Sequence, residues 1–197
     1  MKNAIFAFLV IAIVGLGSCA SSYQAIQPAA VNYQTTNTNK SVDFSYKYDV
    51  LGERGNKKYR KRESRKGIKI VAVRVINNSE KAFTFGEDLS VHRNNAPVEI
   101  LEPAYVHREL KQGVPIYLLY MLLTPMQLYT GEDSYPIGVI IGPGITAGNM
   151  ITAGTANGRL LRELQSNFLN GRVIQPGETA YGLIGIRDQG YSPLSLQ

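Results

Sequence analysis

Two long stretches of this chain carry no charged residue, and they lie between segments that alternate like β-strands. Residues 112–131 and 134–158 contain no Lys, Arg, Asp or Glu, and only Glu132 and Asp133 separate them. The chain has 197 residues, which suits one domain with room for an elaboration. An uncharged insert of this length has to be covered by its own domain, by a membrane or by a partner, and all three alternatives stay open.

The segments on either side of the insert predict β-strands. Residues 42–48, 68–76 and 179–187 are rich in Val, Ile and aromatic residues, and 42–48 alternates strictly between apolar and polar. Shorter candidates lie at 82–85, 89–92, 97–101 and 172–175. Six or seven short strands without alternating helices predict a mainly β fold, an antiparallel sandwich. The run VAVRVINNSEKAF at 71–83, followed much later by IQPGETAYGLIGI at 174–186, resembles small Ig-like sandwich domains of secreted bacterial proteins of Bacteroidota type. This resemblance implies a fold and no function.

The insert, at about residues 103–171, is expected to be helical, glycine-rich and apolar. Residues 159–169 predict an amphipathic helix, and the pairs Gly138/Gly142 and Gly144/Gly148 have the small-xxx-small spacing of close helix contacts. The prolines and polar residues in the insert argue against a membrane-spanning hairpin. The candidate apolar contact residues are Leu118, Leu119, Met121, Leu122, Ile140 and Ile141.

The N-terminus predicts a targeting segment. Lys2 precedes an uncharged apolar run over 4–17, which is too short for a comfortable membrane span, and Leu16-Gly17-Ser18-Cys19 follows it. Cys19 is the only cysteine, so the chain has no internal disulfide. The order of charge, apolar run, small residues and cysteine resembles the signal and lipobox of bacterial lipoproteins. The resemblance implies a signal peptide at 1–18, cleavage between Ser18 and Cys19, and palmitate-type acylation of Cys19.

The residues after Cys19 bear on localisation and on domain organisation. Ala20 is not the Asp that retains many Gram-negative lipoproteins in the inner membrane, and no acidic cluster follows. The resemblance therefore implies the outer membrane, facing the periplasm. Residues 19–41 lack apolar periodicity, which predicts a flexible tether behind the acylated N-terminus that the resemblance implies, followed by the β-domain at 42–197.

Most of the excess positive charge lies in one segment. The chain has a formal net charge of +6, and residues 57–66 hold seven basic residues and one acidic residue. Gly55 and Gly67 flank the segment and predict a loop between two strands. The candidate anionic contact residues are Lys57, Lys58, Arg60, Lys61, Arg62, Arg65 and Lys66. We expect no nucleic-acid partner, because Tyr59 offers no series of stacking aromatics. Anionic headgroups and an acidic protein partner both remain open.

No catalytic, cofactor or metal site is expected. His107 lies near Glu99, Glu102 and Glu109, but no nucleophile motif joins them or His92. The G-x-G-x-x-A pattern at 142–147 lacks the βαβ context of a dinucleotide site. The sequence therefore favours a non-enzymatic interaction or scaffold module of the cell envelope. The alternatives are a lipoprotein that binds a small ligand or glycan and, third, a carboxylate-dependent hydrolase.

Overall fold

The computed structural model describes residues 20–33, 35–38 and 41–197. The predicted signal peptide, its cleavage site after Ser18 and the acylation site Cys19 lie outside the described residues. The chain forms two compact units. We call residues 20–22 and 112–156 the insert unit, and residues 23–111 and 157–197 the sheet unit.

The described residues contain twelve strands, four α-helices and two 3-10 helices. The strands are β1 (Thr35–Thr38), β2 (Val42–Lys47), β3 (Ile68–Asn77), β4 (Phe83–Thr84), β5 (Val91–Arg93), β6 (Ala96–Pro97), β7 (Ile100–Leu101), β8 (Leu128–Thr130), β9 (Asp133–Tyr135), β10 (Val173–Ile174), β11 (Thr179–Arg187) and β12 (Ser195–Leu196). The helices are α1 (Val50–Glu53), α2 (Lys57–Lys66), α3 (Pro103–Leu110), α4 (Gly138–Ser166), η1 (Pro28–Ala30) and η2 (Pro115–Leu123).

A five-stranded antiparallel sheet with the order β1-β2-β3-β11-β7 is the centre of the sheet unit. Its longest pairing joins β3 to β11, from Ile68 opposite Arg187 to Ile76 opposite Thr179. Branched side chains in both strands suit a pleated, buried surface. The predictions at 42–48, 68–76 and 179–187 are thus confirmed, while 97–101 forms two short strands, β6 and β7.

Both faces of β3 are covered. Val71, Val73 and Val75 pack in one apolar cluster with β2, β11 and the short strands around them. Ile70 and Ala72 point to the opposite face, because successive strand side chains alternate, and both are fully buried. Helices α1 and α2 pack against β3. The strand is therefore buried on both of its sides.

The fold is mixed, and the expected mainly β fold with helices is loosely compatible with it. Helical residues make up 37% and strand residues 27%, and the strands form several small antiparallel sheets beside the central one. The predicted insert at 103–171 is largely helical, with α3, η2 and α4, but it also contains the hairpin β8–β9. The predicted helix at 159–169 is the last part of α4, which ends at Ser166.

The flexible tether predicted for 19–41 is wrong for the residues that can be described. Tyr23 and Ile26 are buried in the sheet unit, and Thr35–Thr38 is a strand that pairs with β2. The Gln24 backbone exchanges two hydrogen bonds with the side chain of Asn56, at 2.9 and 2.7 Å. Single apolar residues separated by polar ones produce no periodic signal, so the sequence pattern did not indicate this packing.

The basic segment is a helix and not the predicted loop. Lys57–Lys66 forms α2, and Gly67 follows it in the left-handed conformation with φ 60°. Lys, Arg and Glu have good helix propensity, and a left-handed glycine is a common helix terminator. Only Tyr59 and Glu63, one turn apart, are buried in this helix. An inward face of two residues is too small to give a clear helical period.

Candidate functional site

The insert unit is built on a close contact between η2 and the first turns of α4. The Gly138 N–H donates to the Met126 carbonyl at 2.9 Å, and Thr146 Oγ1 donates to the Tyr117 carbonyl at 3.2 Å. A Cβ on Gly138 would lie 2.2 Å from the Leu123 carbonyl oxygen. The predicted close approach is therefore present at Gly138 and Gly142, although the partner is the 3-10 helix η2.

Helix η2 exposes most of its apolar side chains. In a 3-10 helix, residues three apart share one face. Tyr117 is buried, and Tyr120 and Leu123 on the same face are half-buried. The remaining two faces point outward, so Leu119 and Leu122 are 59% and 75% exposed.

Exposed apolar side chains are concentrated in the insert unit. Of the fourteen large exposed hydrophobic residues in the described part of the chain, twelve belong to this unit. Glu132 and Asp133 are its only charged residues between 112 and 156. We call the twelve the exposed apolar set: Ile116, Leu118, Leu119, Met121, Leu122, Leu128, Tyr129, Tyr135, Val139, Ile140, Ile145 and Ile151. The set includes five of the six predicted apolar contact residues, whereas the sixth, Ile141, is half-buried.

The first described residues are hydrogen-bonded into the insert unit. The Ala20 N–H donates to Asn149 Oδ1 at 2.5 Å. The Ser21 N–H donates to Gln112 Oε1 at 3.2 Å, and Gln112 Nε2 donates back to the Ser21 carbonyl at 2.7 Å. Gln112 and Asn149 are almost fully buried. Sequence reasoning missed both residues, because a polar side chain inside an uncharged segment gives no sign of a partner about a hundred residues away.

The seven predicted anionic-contact residues have different environments on α2. Arg60 pairs with Asp49 at 2.7 Å, and Lys66 pairs with Glu109 at 2.9 Å. Lys58 and Arg62 are half-buried. Lys57, Lys61 and Arg65 are exposed, and no described residue forms an ion pair or hydrogen bond with their side chains. These three residues, spaced four apart on one helix face, are called the basic stripe.

The inward side of α2 holds a buried carboxyl group. Glu63 is 2% exposed, and its Oε1 accepts the Ile70 N–H at 2.7 Å. Burial raises the pKa of Glu63 to about 7, against the lowering effects of the Ile70 hydrogen bond and of Lys69. One turn away, the Tyr59 hydroxyl donates to Asn157 Oδ1 at 3.0 Å. Two buried polar contacts therefore fix which face of α2 points outward.

The acidic and histidine residues considered as a catalytic alternative are separately engaged or exposed. Glu99 and Glu102 are exposed, and hydrogen bonding to Lys66 lowers the pKa of Glu109. Burial lowers the pKa of His107, and His92 contacts the Ser90 hydroxyl at 2.8 Å. Among the described residues no group of three His, Cys, Asp or Glu side chains is placed to hold a metal. The carboxylate-dependent hydrolase gains no converging site from this arrangement.

An open groove of about 580 Å³ lies in the sheet unit. It is lined by Gln27, Pro28, Ala29, Ala30, Asn167, Arg172, Thr179 and Tyr181. Tyr181 is its one aromatic residue, and Arg172 is already paired with Glu178 at 2.7 Å. A glycan site commonly stacks sugar on several aromatic faces, so this groove offers little of what the ligand-binding alternative needs.

The described helices were compared with the requirements for a membrane span, and the chain was compared with known proteins. In the part of the chain that the structure describes, no helix combines the length and hydropathy needed to cross a membrane. No protein family, curated protein or solved structure matches the chain.

Proposed function

We propose that this protein is a lipid-anchored, non-enzymatic interaction module of the bacterial cell envelope. The proposed anchor is acylated Cys19, exposed by cleavage after Ser18, and the proposed location is the outer membrane, facing the periplasm. The protein would hold a partner at the bilayer. The observation that carries the proposal is the concentration of exposed apolar side chains in one nearly uncharged unit.

The exposed apolar set supports a contact role because of what it would cost to leave it in water. Large contiguous apolar surfaces on soluble monomers mark interaction sites, and five residues of the set lie within the nine residues of η2. Leu122 and Ile140 are 75% and 79% exposed, so each leaves most of its side chain uncovered. Burial of one such side chain is worth about 1.5–3 kcal/mol. Several of them together can therefore drive attachment to a membrane or a protein.

The basic stripe supports a second, anionic contact. Like charges four residues apart on a helix are mutually destabilising by about 0.2–0.5 kcal/mol. Lys57, Lys61 and Arg65 have this spacing and no counter-charge among the described residues. Each exposed cation near an anionic surface contributes up to about 1 kcal/mol. The stripe is the proposed site for phosphate headgroups or acidic groups of a partner.

We also propose that the sheet unit is an Ig-like sandwich with an added helical layer. The apolar cluster supports this arrangement, because it joins residues of β2, β3 and β11 to residues from the short strands and C-terminus, such as Val91, Ile174 and Leu194. Helices α1 and α2 pack against β3 and support the added helical layer.

Acyl labelling combined with affinity purification tests the proposed function. The protein is produced in a Gram-negative host with labelled palmitate, beside a Cys19→Ala variant, and both are purified with their envelope partners after cross-linking. We expect label only in the Cys19 protein, and a stoichiometric envelope partner recovered with it. Label in the Cys19→Ala variant contradicts the anchor. An unlabelled protein that is recovered without a protein partner, but with a bound sugar or small molecule, favours the ligand-binding alternative.

A further inference from the structure

We infer that the exposed apolar set is a seat for the lipid leaflet, held there because the acylated N-terminus is attached directly to the insert unit. The inference rests on the proposed acylation of Cys19 and names the partner of the apolar surface. The sequence predicted a domain on a flexible tether, whereas this inference places the insert unit directly at the bilayer.

The length of chain between the anchor and the insert unit is the first argument. Cys19, the proposed anchor, directly precedes Ala20 in the chain. Consecutive Cα atoms are only 3.8 Å apart. Ala20 and Ser21 are held by Asn149 and Gln112. A flexible tether of about twenty residues would have let the unit move tens of ångströms from the membrane. No such slack separates Cys19 from the insert unit.

The position of the attachment point on α4 is the second argument. Asn149, which accepts the Ala20 N–H, also donates from Nδ2 to the Ile145 carbonyl at 2.9 Å. Ile145 and Ile151, on the same helix, belong to the exposed apolar set, and Ile151 is 69% exposed. Ile145 lies one turn from Asn149 on the same helix face, so the point that holds Ala20 is next to one exposed apolar side chain.

Charge and helix length decide how the unit meets the lipid. Between 112 and 156 there is no Lys or Arg, and the acidic pair Glu132 and Asp133 adjoins the turn between β8 and β9. Away from this acidic pair the surface is uncharged, so it enters the headgroup and acyl boundary without the cost of burying a charge. No described helix is able to span the bilayer, so the contact is interfacial.

A single tryptophan placed in the set reports on its occupant. The natural chain contains no Trp, so Leu122→Trp gives an unambiguous fluorescence signal, and Ile140→Trp is a second site. Val173→Trp is the matched control, since Val173 is 49% exposed in the sheet unit. The full acylated proteins are reconstituted into phosphatidylethanolamine and phosphatidylglycerol vesicles, with or without brominated acyl chains. Circular dichroism checks that each variant folds.

The expected result is a blue shift and strong bromine quenching at positions 122 and 140, with neither at 173. Equal, water-like emission at all three positions overturns the inference. Shielding from acrylamide at 122 without bromine quenching also overturns it, because a second copy or another protein then covers the set; the proposed function survives that outcome. If the labelling experiment shows no acylation, the proposed anchor at Cys19 is wrong, and the inference that rests on it is wrong as well.

A second measurement does not depend on the acyl chains. The Cys19→Ala chain is mixed with the same vesicles and sedimented, beside a Cys19→Ala chain that also carries Leu119→Ser and Leu122→Ser. We expect the double serine change to weaken partition at least about tenfold. Equal partition of the two proteins overturns the apolar seat.

Discussion

Gly138 lies where the backbone of η2 comes nearest to α4. An added Cβ would meet the carbonyl oxygens of Leu123 and Thr124 at 2.2 and 2.4 Å, and neither backbone atom can rotate away. Gly148, on the same helix, has open space around its Cα. The two glycines therefore have different structural roles, although the sequence pattern treats them alike.

Gly138→Ala should destabilise the insert unit by about 1–3 kcal/mol, because the added methyl group forces η2 and α4 apart. Gly148→Ala should be neutral or stabilising by up to about 1 kcal/mol, since alanine is the better helix former. Amide hydrogen exchange over residues 112–156 in the Cys19→Ala background measures both. Similar protection in the two variants would show that η2 does not pack on Gly138.

Glu63 predicts a particular dependence of stability on pH. Its pKa is about 7 in the folded protein and near the ordinary glutamate value, 4.5, in the unfolded chain. Between these values the folded protein binds the extra proton, so this contribution to stability is present below about pH 4.5 and is lost as the pH rises through about 7. The loss amounts to about 3 kcal/mol.

Glu63→Gln tests this pH dependence while keeping an oxygen for the Ile70 N–H. Urea unfolding of the Cys19→Ala protein from pH 4.5 to 8 should show the variant's stability falling less across this interval than that of the parent. Glu80→Gln is the control, because Glu80 is exposed and forms no ion pair with a described residue. A parent and a Glu63→Gln protein with the same pH slope would contradict the assignment of the raised pKa to Glu63.

At the scale of elements, α2 shows how one helix separates structural from contact residues. Tyr59 and Glu63 hold its inner face, and Arg60 and Lys66 are occupied by Asp49 and Glu109. The seven cations predicted as one patch thus reduce to a basic stripe of three with two half-buried neighbours, Lys58 and Arg62. Only side chains without a partner retain their full attraction for an external anion.

Charge reversal of the basic stripe should weaken attachment to anionic surfaces. We expect the Cys19→Ala chain with Lys57, Lys61 and Arg65 changed to Glu to bind phosphatidylglycerol vesicles at least about tenfold more weakly at low salt. The difference should shrink as salt screens the charges. The control reverses the exposed Lys111, Arg159 and Arg162, which gives the same net charge. Equal losses in both proteins would show a non-specific charge effect.

At the scale of the whole molecule, the first described residues, from Ala20 onward, are part of the folded structure. Tyr23 donates its hydroxyl hydrogen to Glu163, and burial, followed by this hydrogen bond, raises the Tyr23 pKa well above its ordinary value. Ile26 is fully buried. Ala20 and Ser21, a few residues earlier, are bonded within the insert unit. A short N-terminal segment therefore contributes to both units.

Ile26→Ala should destabilise the sheet unit by about 2–5 kcal/mol, because it removes a fully buried side chain and leaves a cavity. Gln24→Ala, two residues away at an exposed position, should stay within about 0.5 kcal/mol of the parent. Urea denaturation of the Cys19→Ala protein measures both changes. A flexible tether at this position would make the two variants equally harmless.

Local patterns predicted a substantial part of the fold. The bounds of β2, β3 and β11 were predicted to within one residue. Alternating or branched apolar side chains next to one another in the sequence are a local signal of a buried strand. The helical segment of the insert was predicted because an uncharged run is visible without knowledge of its surroundings, and five of the six residues predicted as apolar contacts are exposed. The basic segment at 57–66 was predicted as a loop, whereas the structure shows that it is helix α2.

The sequence by itself determined the strand centres, the uncharged insert, the basic segment and the lipobox resemblance, all of which are properties of neighbouring residues. Only the tertiary structure decided which apolar side chains stay exposed, which cations lack partners and where the N-terminus is held. The decisive contacts join residues far apart in the chain, such as Ala20 and Asn149, separated by 129 positions, and Tyr23 and Glu163, separated by 140. A local pattern carries no information about such pairs, because their energy depends on how the whole chain folds.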